Sequence, residues 1–452
     1  MTHSETGTRR VDRRSFLATA AALTATSTLP DVVEAQAAAP PAPSPTRAPA
    51  VQTRGPGGFS AARIERLRAT MNAYTARGDV PGIVWALSRR AELHTGVHGV
   101  QATDTAAAMR RDSIFRIASV SKVITGAATM MLAEEGKVRL DEPVDGLLPE
   151  LANRRVLKRI DAQLDDTVPA NRPITVRDLL TFRMGIGLLL APPNAYPIQR
   201  AMQQQKVDVS PFLSAAESPD AWIKGLGSLP LVYQPGEKWL YHTGADALGV
   251  LIARAAGQPL ETFLRERFFG PLGMKDTSFS VSASKLVRLT TAYWANPATS
   301  KVEVFDDGKS SRWSRPPGFP AAGGGLVSML DDLLSFGRML LENGTHAGRR
   351  FLSRLSIEAM ATDQLTPEQQ RETFLGGSRG WGLGVAVVTK RDDISAVPGR
   401  FGWDGGYGTS LWVDPKERLV GVLLTQKVWT SANPPPSVHL DFWNMAYAAL
   451  ED

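Results

Sequence analysis

Hydrophobic residues along this chain follow two rhythms. Apolar positions recur at spacings of three and four through residues 61–77, which predicts an amphipathic helix. The same spacing returns over 120–135, with Val123, Ala127, Met130 and Met131 as its apolar set and Gly136 as its stop, predicting a buried helix. Short apolar runs at 82–87 and 95–101 predict strands instead. From about 151 to 319, helix signals and turns dominate. Thr175-Val176-Arg177-Asp178 reads as a capping box, and the run 247–256 is closed by Gly257. Ser328-Met329-Leu330-Asp331 opens another helix that Gly344 ends. Strands then return at 382–388, 408–413 and 419–424, before a last helix at 440–450. Strands at both ends with helices between predict an α+β fold, in which a sheet domain (58–150 with 320–452) is interrupted by a helical domain (151–319). A cleft between them is the natural place for a site.

The first residues read differently. Arg13-Arg14-Ser15-Phe16-Leu17 opens a short apolar run ending near Leu29, and Ala35-Gln36-Ala37 supplies a small-residue cleavage site. Residues 1–37 therefore read as a twin-arginine export signal, which predicts a periplasmic or extracellular protein. The run is too short to span a bilayer comfortably, and no later stretch is apolar enough to do so, so no stable membrane span is expected. Residues 38–57, with six prolines, read as a Pro/Ala-rich tether.

Composition narrows the classes. The 452 residues are 43% hydrophobic and 21% charged, which is globular in type. The net charge of +6 is spread out, without basic runs or interleaved aromatics, so no nucleic-acid partner is expected. With no cysteine there is neither a disulfide nor a thiolate metal site, which fits a chain folded before transport. The six histidines are scattered without ligand spacing, and neither metal nor cofactor is expected.

The chemistry begins at Ser119-Val120-Ser121-Lys122. A serine hydroxyl needs a neighbour to take its proton, and residues three apart share a helix face, so the Lys122 amine can reach the Ser119 oxygen. A helix N-terminus and burial both disfavour an ammonium there, giving the neutral base the chemistry requires. Alone, the spacing also fits an N-capping serine, and a second copy, Ser282-Ala283-Ser284-Lys285, lacks the apolar helix and reads as a solvated loop. No Gly-x-Ser-x-Gly elbow occurs.

The segment Phe115-Arg116-Ile117-Ala118-Ser119-Val120-Ser121-Lys122 resembles the nucleophile region of the serine β-lactamase and penicillin-binding superfamily, in its class C-like branch. The resemblance continues through Pro235-Gly236-Glu237-Lys238-Trp239-Leu240-Tyr241, Pro271-Leu272-Gly273-Met274 and Gly324-Gly325-Leu326-Val327-Ser328. It implies a β-lactamase/transpeptidase-like fold: an antiparallel sheet flanked by helices, with an inserted all-helical domain. It also implies Ser119 as nucleophile, Lys122 as base and Tyr241 as proton shuttle, with the backbone N–H groups of Ser119 and Gly406 as the oxyanion hole.

Two departures bear on substrate. Thr243 replaces the asparagine usual two residues after the tyrosine. Trp403-Asp404-Gly405-Gly406 stands where the family carries Lys-Thr-Gly or His-x-Gly. An indole offers apolar surface and one N–H donor in place of a cation, and Asp404 would repel an anion. Thr243, Trp403, Asp404 and Gly405 are thus expected to line the substrate site, with Gly405 and Gly406 sparing room for substrate. His242 adjoins Tyr241, and neighbouring side chains often diverge, so a structural or cleft-lining role is expected of it. The leading expectation is an exported serine esterase of short-acyl or neutral esters. A β-lactamase or D-amino-acid peptidase, and a penicillin-binding protein without turnover, are the alternatives.

Overall fold

The computed structural model describes residues 56–208, 216–296, 302–429 and 435–451. The signal read over 1–37 lies outside the described residues, as does the tether of 38–57 except for Pro56 and Gly57. Gly57 already belongs to the fold: its N–H donates to Glu92 and its carbonyl accepts from the Arg89 guanidinium.

Strand β1 (Gly82–Arg89) is buried at every position, which explains its unbroken apolar run: both faces are covered. It pairs antiparallel with β2 (Glu92–Gly99) on one side. The other strands of the sheet come late in the chain: β3 (Arg379–Trp381), β4 (Ala386–Val388), β5 (Phe401–Gly405), β6 (Thr409–Asp414) and β7 (Leu419–Thr425). The spatial order is β3-β4-β5-β6-β7-β1-β2, antiparallel throughout.

Adjacent residues of β7 show what covers each face. A Cβ on Gly421 would lie 2.4 Å from the Trp443 ring, on the C-terminal helix. Val420 packs the opposite way, its Cγ1 2.6 Å from where Gly337 would carry a Cβ. Helix α1 (Ala61–Ala76) joins the C-terminal helix, the Tyr74 hydroxyl donating to Asp441 at 2.6 Å. Helix α2 (Ser121–Glu134) is buried at every position from Ser121 to Leu132, as a central helix must be. It packs on α3 (Thr243–Ala256) and, at Gly126, against the Leu383 carbonyl beside the sheet. Helices α4 (Leu330–Leu341), against the Val420 face, and α5 (Ser437–Ala448), which carries Trp443, complete the layers.

The middle of the chain holds helices Val176–Leu180, with the capping box on Thr175, then Pro197–Gln204, Pro219–Gly227, α3 and Leu260–Leu264. It also holds two short ladders, Arg155–Leu157 with Thr167–Pro169 and Ala292–Ala295 with Val302–Asp306. The described residues hold together as one compact unit. Among the described residues no helix is long and apolar enough to cross a membrane.

Candidate active site

Ser119 stands at the end of a pinned segment. Phe115–Arg116 pairs antiparallel with Val327–Ser328, and the Ile117 N–H donates to the Leu326 carbonyl at 3.0 Å. The Arg116 guanidinium is buried over the Trp313 ring, donates to the Thr290 carbonyl at 2.6 Å and forms an ion pair with Asp306. The chain then turns sharply. Ala118 takes φ +45°, Ser119 lies in a 3-10 turn, and α2 begins at Ser121.

One turn on from Ser119, Lys122 is 1% exposed. Its Nζ lies 3.0 Å from Ser119 Oγ, 3.0 Å from His242 Nδ1 and 2.5 Å from the Gly323 carbonyl. Burial pushes the amine down to about 7, against the opposing pull of the Asp246 carboxylate. The amine is thus a base near neutral pH.

Tyr241 arrives from the other layer. Its carbonyl accepts from Leu188 N–H at 2.9 Å, and its ring packs edge-on against Phe182, Phe374 and Trp381. The ring face covers Lys122, whose Nζ lies 4.6 Å from the centroid. Ser119 and the Trp403 N–H act to lower the phenol, but burial outweighs them and pushes it well up, so it stays protonated.

Between Tyr241 and α3 the backbone makes a tight γ-turn: Thr243 N–H donates to the Tyr241 carbonyl at 3.2 Å, with His242 at φ 84°, ψ −63°. A non-glycine residue held so costs about 1–3 kcal/mol. The turn swings His242 toward Lys122 instead of away from the site. Its Nε2 lies 3.1 Å from Asp246, one turn along α3, and Asp246 also accepts the Gly323 N–H at 2.7 Å. Burial, then Lys122, push the imidazole down, although Asp246 opposes them. The sequence assigns His242 a structural or cleft-lining role; for its contact with Lys122 the His242/Asp246 spacing of four was the available signal.

The substrate-side residues divide. Trp403 lines the cleft, yet its Nε1–H donates to the Tyr241 hydroxyl at 2.5 Å, so this donor holds the tyrosine instead of facing substrate. Asp404 lines the cleft too, with Oδ1 accepting from Ser410 Oγ at 2.5 Å and Trp412 Nε1 at 2.9 Å. Gly405 does not line it. A Cβ there would lie 2.3 Å from the Ile117 carbonyl and 2.3 Å from Thr409 Oγ1, so this glycine lets β5 approach the nucleophile segment. At Gly406, on the cleft wall with Ser119, a Cβ would meet nothing within 4 Å. Thr243 is 1% exposed at the start of α3, with Oγ1 buried and unpartnered, away from the cleft lining. The second Ser-x-x-Lys lies far from this chemistry: Lys285 donates to the Lys275 carbonyl at 2.7 Å and pairs with Asp276.

The cleft encloses about 860 Å³ where residues of the middle region meet the sheet, and Leu188, Leu190, Phe374, Leu375 and Trp403 give it an apolar wall. Farther along lie Arg379, stacked over Trp412 at 5.3 Å, and Arg400, buried over Trp443 at 3.9 Å.

Nucleophile, buried amine and phenol at one cleft, on this α+β scaffold, define the class: a serine hydrolase of β-lactamase/transpeptidase-like fold. The model of the family described as Beta-lactamase matches residues 67–447, and the chain belongs to that family. It is 39% identical over 355 residues to an uncharacterized protein of Mycobacterium tuberculosis, spanning 76% of this chain and 84% of that one. It is 28% identical over 398 residues to esterase EstB of Burkholderia gladioli, spanning 84% and 95%. In fold it is similar to EstCE1, described as a hydrolase with promiscuous acyltransferase activity, with a TM-score of 0.70, 23% identity, and 86% and 98% of the two chains covered.

Proposed function

We propose that this chain is an exported serine esterase that cleaves neutral, short-acyl esters through an acyl-Ser119 intermediate. One observation carries the reading: a buried Lys122 amine, pushed down to about 7, lies 3.0 Å from Ser119 Oγ beside a protonated Tyr241. Lys122 takes the Ser119 proton as Oγ bonds to the ester carbonyl carbon. The proton then passes through Tyr241 to the alkoxide as the C–O bond breaks. Water, deprotonated by the same pair, cleaves the acyl-enzyme and returns Ser119. The Ser119 and Gly406 N–H groups hold the oxyanion; losing one such donor costs on the order of a hundred- to a thousandfold in turnover. The apolar cleft wall and the named esterase relative support an ester substrate. The twin-arginine pattern at Arg13-Arg14 supports export.

A second reading, β-lactamase or D-amino-acid peptidase, is favoured by Arg379: it lines the cleft, and among the described residues its guanidinium has no ion pair. It is a cation that a substrate carboxylate could meet.

The test is purified mature protein on p-nitrophenyl butyrate, a chromogenic cephalosporin and a D-alanyl peptide, beside Ser119→Ala. Ester hydrolysis lost in the variant supports the first reading. Faster turnover of the cephalosporin or peptide supports the second, and equal activity of both forms removes Ser119 from the mechanism. A stable β-lactam adduct in intact-protein mass spectrometry, without turnover of any substrate, would mark a binding protein.

A further inference from the structure

We infer that His242 is a positioning residue for the base: it accepts an N–H from Lys122 and thereby leaves the lysine lone pair facing Ser119. This rests on the acyl-enzyme reading and extends it to a residue that reading does not use.

A neutral amine has two N–H bonds and one lone pair, and Lys122 Nζ has three polar neighbours. The Gly323 carbonyl, at 2.5 Å, can only accept, so it takes one N–H. The other N–H and the lone pair divide between Ser119 Oγ and His242 Nδ1, both at 3.0 Å. If His242 donated from Nδ1, the lone pair would be spent on the imidazole and Lys122 would donate to Ser119, the wrong direction for a base. If Nδ1 accepts, the lone pair faces the Ser119 hydroxyl.

The far nitrogen decides. Nε2 lies 3.1 Å from Asp246 Oδ2, and a carboxylate only accepts. Asp246 is ionised: desolvation works against its charge, but His242, the Gly323 N–H and Lys122 together hold it below the usual carboxylate range. Nε2 therefore carries a proton. A neutral imidazole has only one, and burial with Lys122 nearby keeps this imidazole neutral. Nδ1 is left as an acceptor.

The surroundings are built to this end. The γ-turn at φ 84° aims His242 at Lys122. Gly323 closes over the pair, where a Cβ would lie 2.9 Å from Asp246 Oδ1 and 3.1 Å from His242 Nε2. The titratable groups facing Lys122 and His242 are Asp246 from α3, Tyr241 before it and Ser119 before α2; Asp404, on β5, acts on Tyr241. When Lys122 takes the Ser119 proton, the ammonium keeps its bonds to Gly323 and His242, and the Asp246 charge stabilises it.

The first test needs no turnover. In the ¹⁵N-histidine-labelled chain at pH 8, with His242→Asn for assignment, long-range ¹H–¹⁵N correlations should show the Nε2–H tautomer at His242. The Nδ1–H tautomer would overturn the inference. The second test follows the acylation burst on p-nitrophenyl butyrate against pH. In Asp246→Asn the acid limb should move to lower pH, because the carboxylate that raises Lys122 is gone. His242→Leu should lose about tenfold or more in kcat with KM little changed. His242→Asn, whose amide oxygen accepts the same N–H and whose backbone tolerates positive φ, should recover most of that loss. An unmoved limb, or an asparagine variant no better than leucine, counts against the inference. If the wild-type chain hydrolyses no ester, the esterase reading fails while the tautomer result still decides this one.

Discussion

Replacing Gly405 by alanine should disable the site without touching a reacting group. The new methyl would lie 2.3 Å from the Ile117 carbonyl and 2.3 Å from Thr409 Oγ1, about 1 Å short of ordinary contact. Neither oxygen can give way cheaply. Thr409 Oγ1 donates to that same carbonyl at 2.9 Å, and Ile117 is further held through its N–H on Leu326. The relief must come from β5 moving away from the nucleophile segment by about 1 Å, at an overpacking cost of about 1–3 kcal/mol. β5 carries Trp403, which holds the Tyr241 hydroxyl, and leads into Gly406, the proposed oxyanion donor. A displacement of that size at a catalytic constellation costs on the order of a hundredfold in turnover. Gly405→Ala should therefore show a thermal midpoint lower by a few degrees and a kcat on p-nitrophenyl butyrate about a hundredfold down. Gly406→Ala, with open space for its methyl, should keep the wild-type midpoint. Wild-type kcat and midpoint in Gly405→Ala would refute the close-approach argument.

A Lys122 amine at about 7 predicts that kcat/KM falls as pH drops through neutrality, because the protonated lysine cannot accept the Ser119 proton. The folded value lies below the 10.5 of a free lysine, so the unfolded chain binds the extra proton between about 7 and 10.5, and stability rises with pH across that window. Lys122→Met should thus lose hydrolysis yet gain stability at pH 7, by up to roughly 4–5 kcal/mol in urea melts; an unchanged or lower stability contradicts a neutral buried amine. Trp403→Phe keeps the apolar wall but drops the N–H held by Tyr241, and kcat should fall about three- to tenfold, whereas an unchanged kcat would free the indole for substrate. Asp306→Ala leaves the buried Arg116 guanidinium without its carboxylate and should cost about 3–5 kcal/mol, measured by denaturant unfolding; a loss under about 1 kcal/mol would show that the pair does not pin the nucleophile segment.

What the sequence made legible was local. The Ser119/Lys122 spacing needs only helix geometry, and α2 is buried from Ser121 to Leu132, its polar Ser121, Lys122, Thr125 and Thr129 included, around an apolar set at spacings of three and four. Strands β1, β6 and β7 stand where apolar runs predicted them, since both faces of the inner sheet are covered and β-periodicity is not needed to find them. Of the strand expected at 382–388 only Ala386–Val388 forms one, paired with Arg379–Trp381, and these three-residue strands and the short ladders at Arg155–Leu157 and Ala292–Ala295 are too brief to carry a pattern of their own. The substrate-side expectations depended on where side chains point across long sequence separations. The Trp403 donor meets Tyr241 from 162 residues away, and Gly405 packs against the Ile117 carbonyl from far along the chain, so neither contact could be read from spacing. The structural or cleft-lining role read for His242 rested on a different premise. That adjacent side chains diverge holds for ordinary strand or helix backbone, and the γ-turn at φ 84° breaks that premise.

The two titratable groups beside Ser119, Lys122 and Tyr241, are driven apart by one cause acting on opposite charge types. Burial disfavours whichever form is charged, so it lowers the Lys122 amine and raises the Tyr241 phenol. In water the two would titrate close together at about 10, and at neutral pH both would hold their protons, leaving no base. Inside the fold, one is an unprotonated base and the other a protonated donor over a common pH range, which is the division of labour that acyl transfer needs. Desolvation alone would lower the amine further. The Asp246 carboxylate, reached through His242, opposes it, so the basicity of Lys122 is set by the balance of an apolar shell and one buried negative charge.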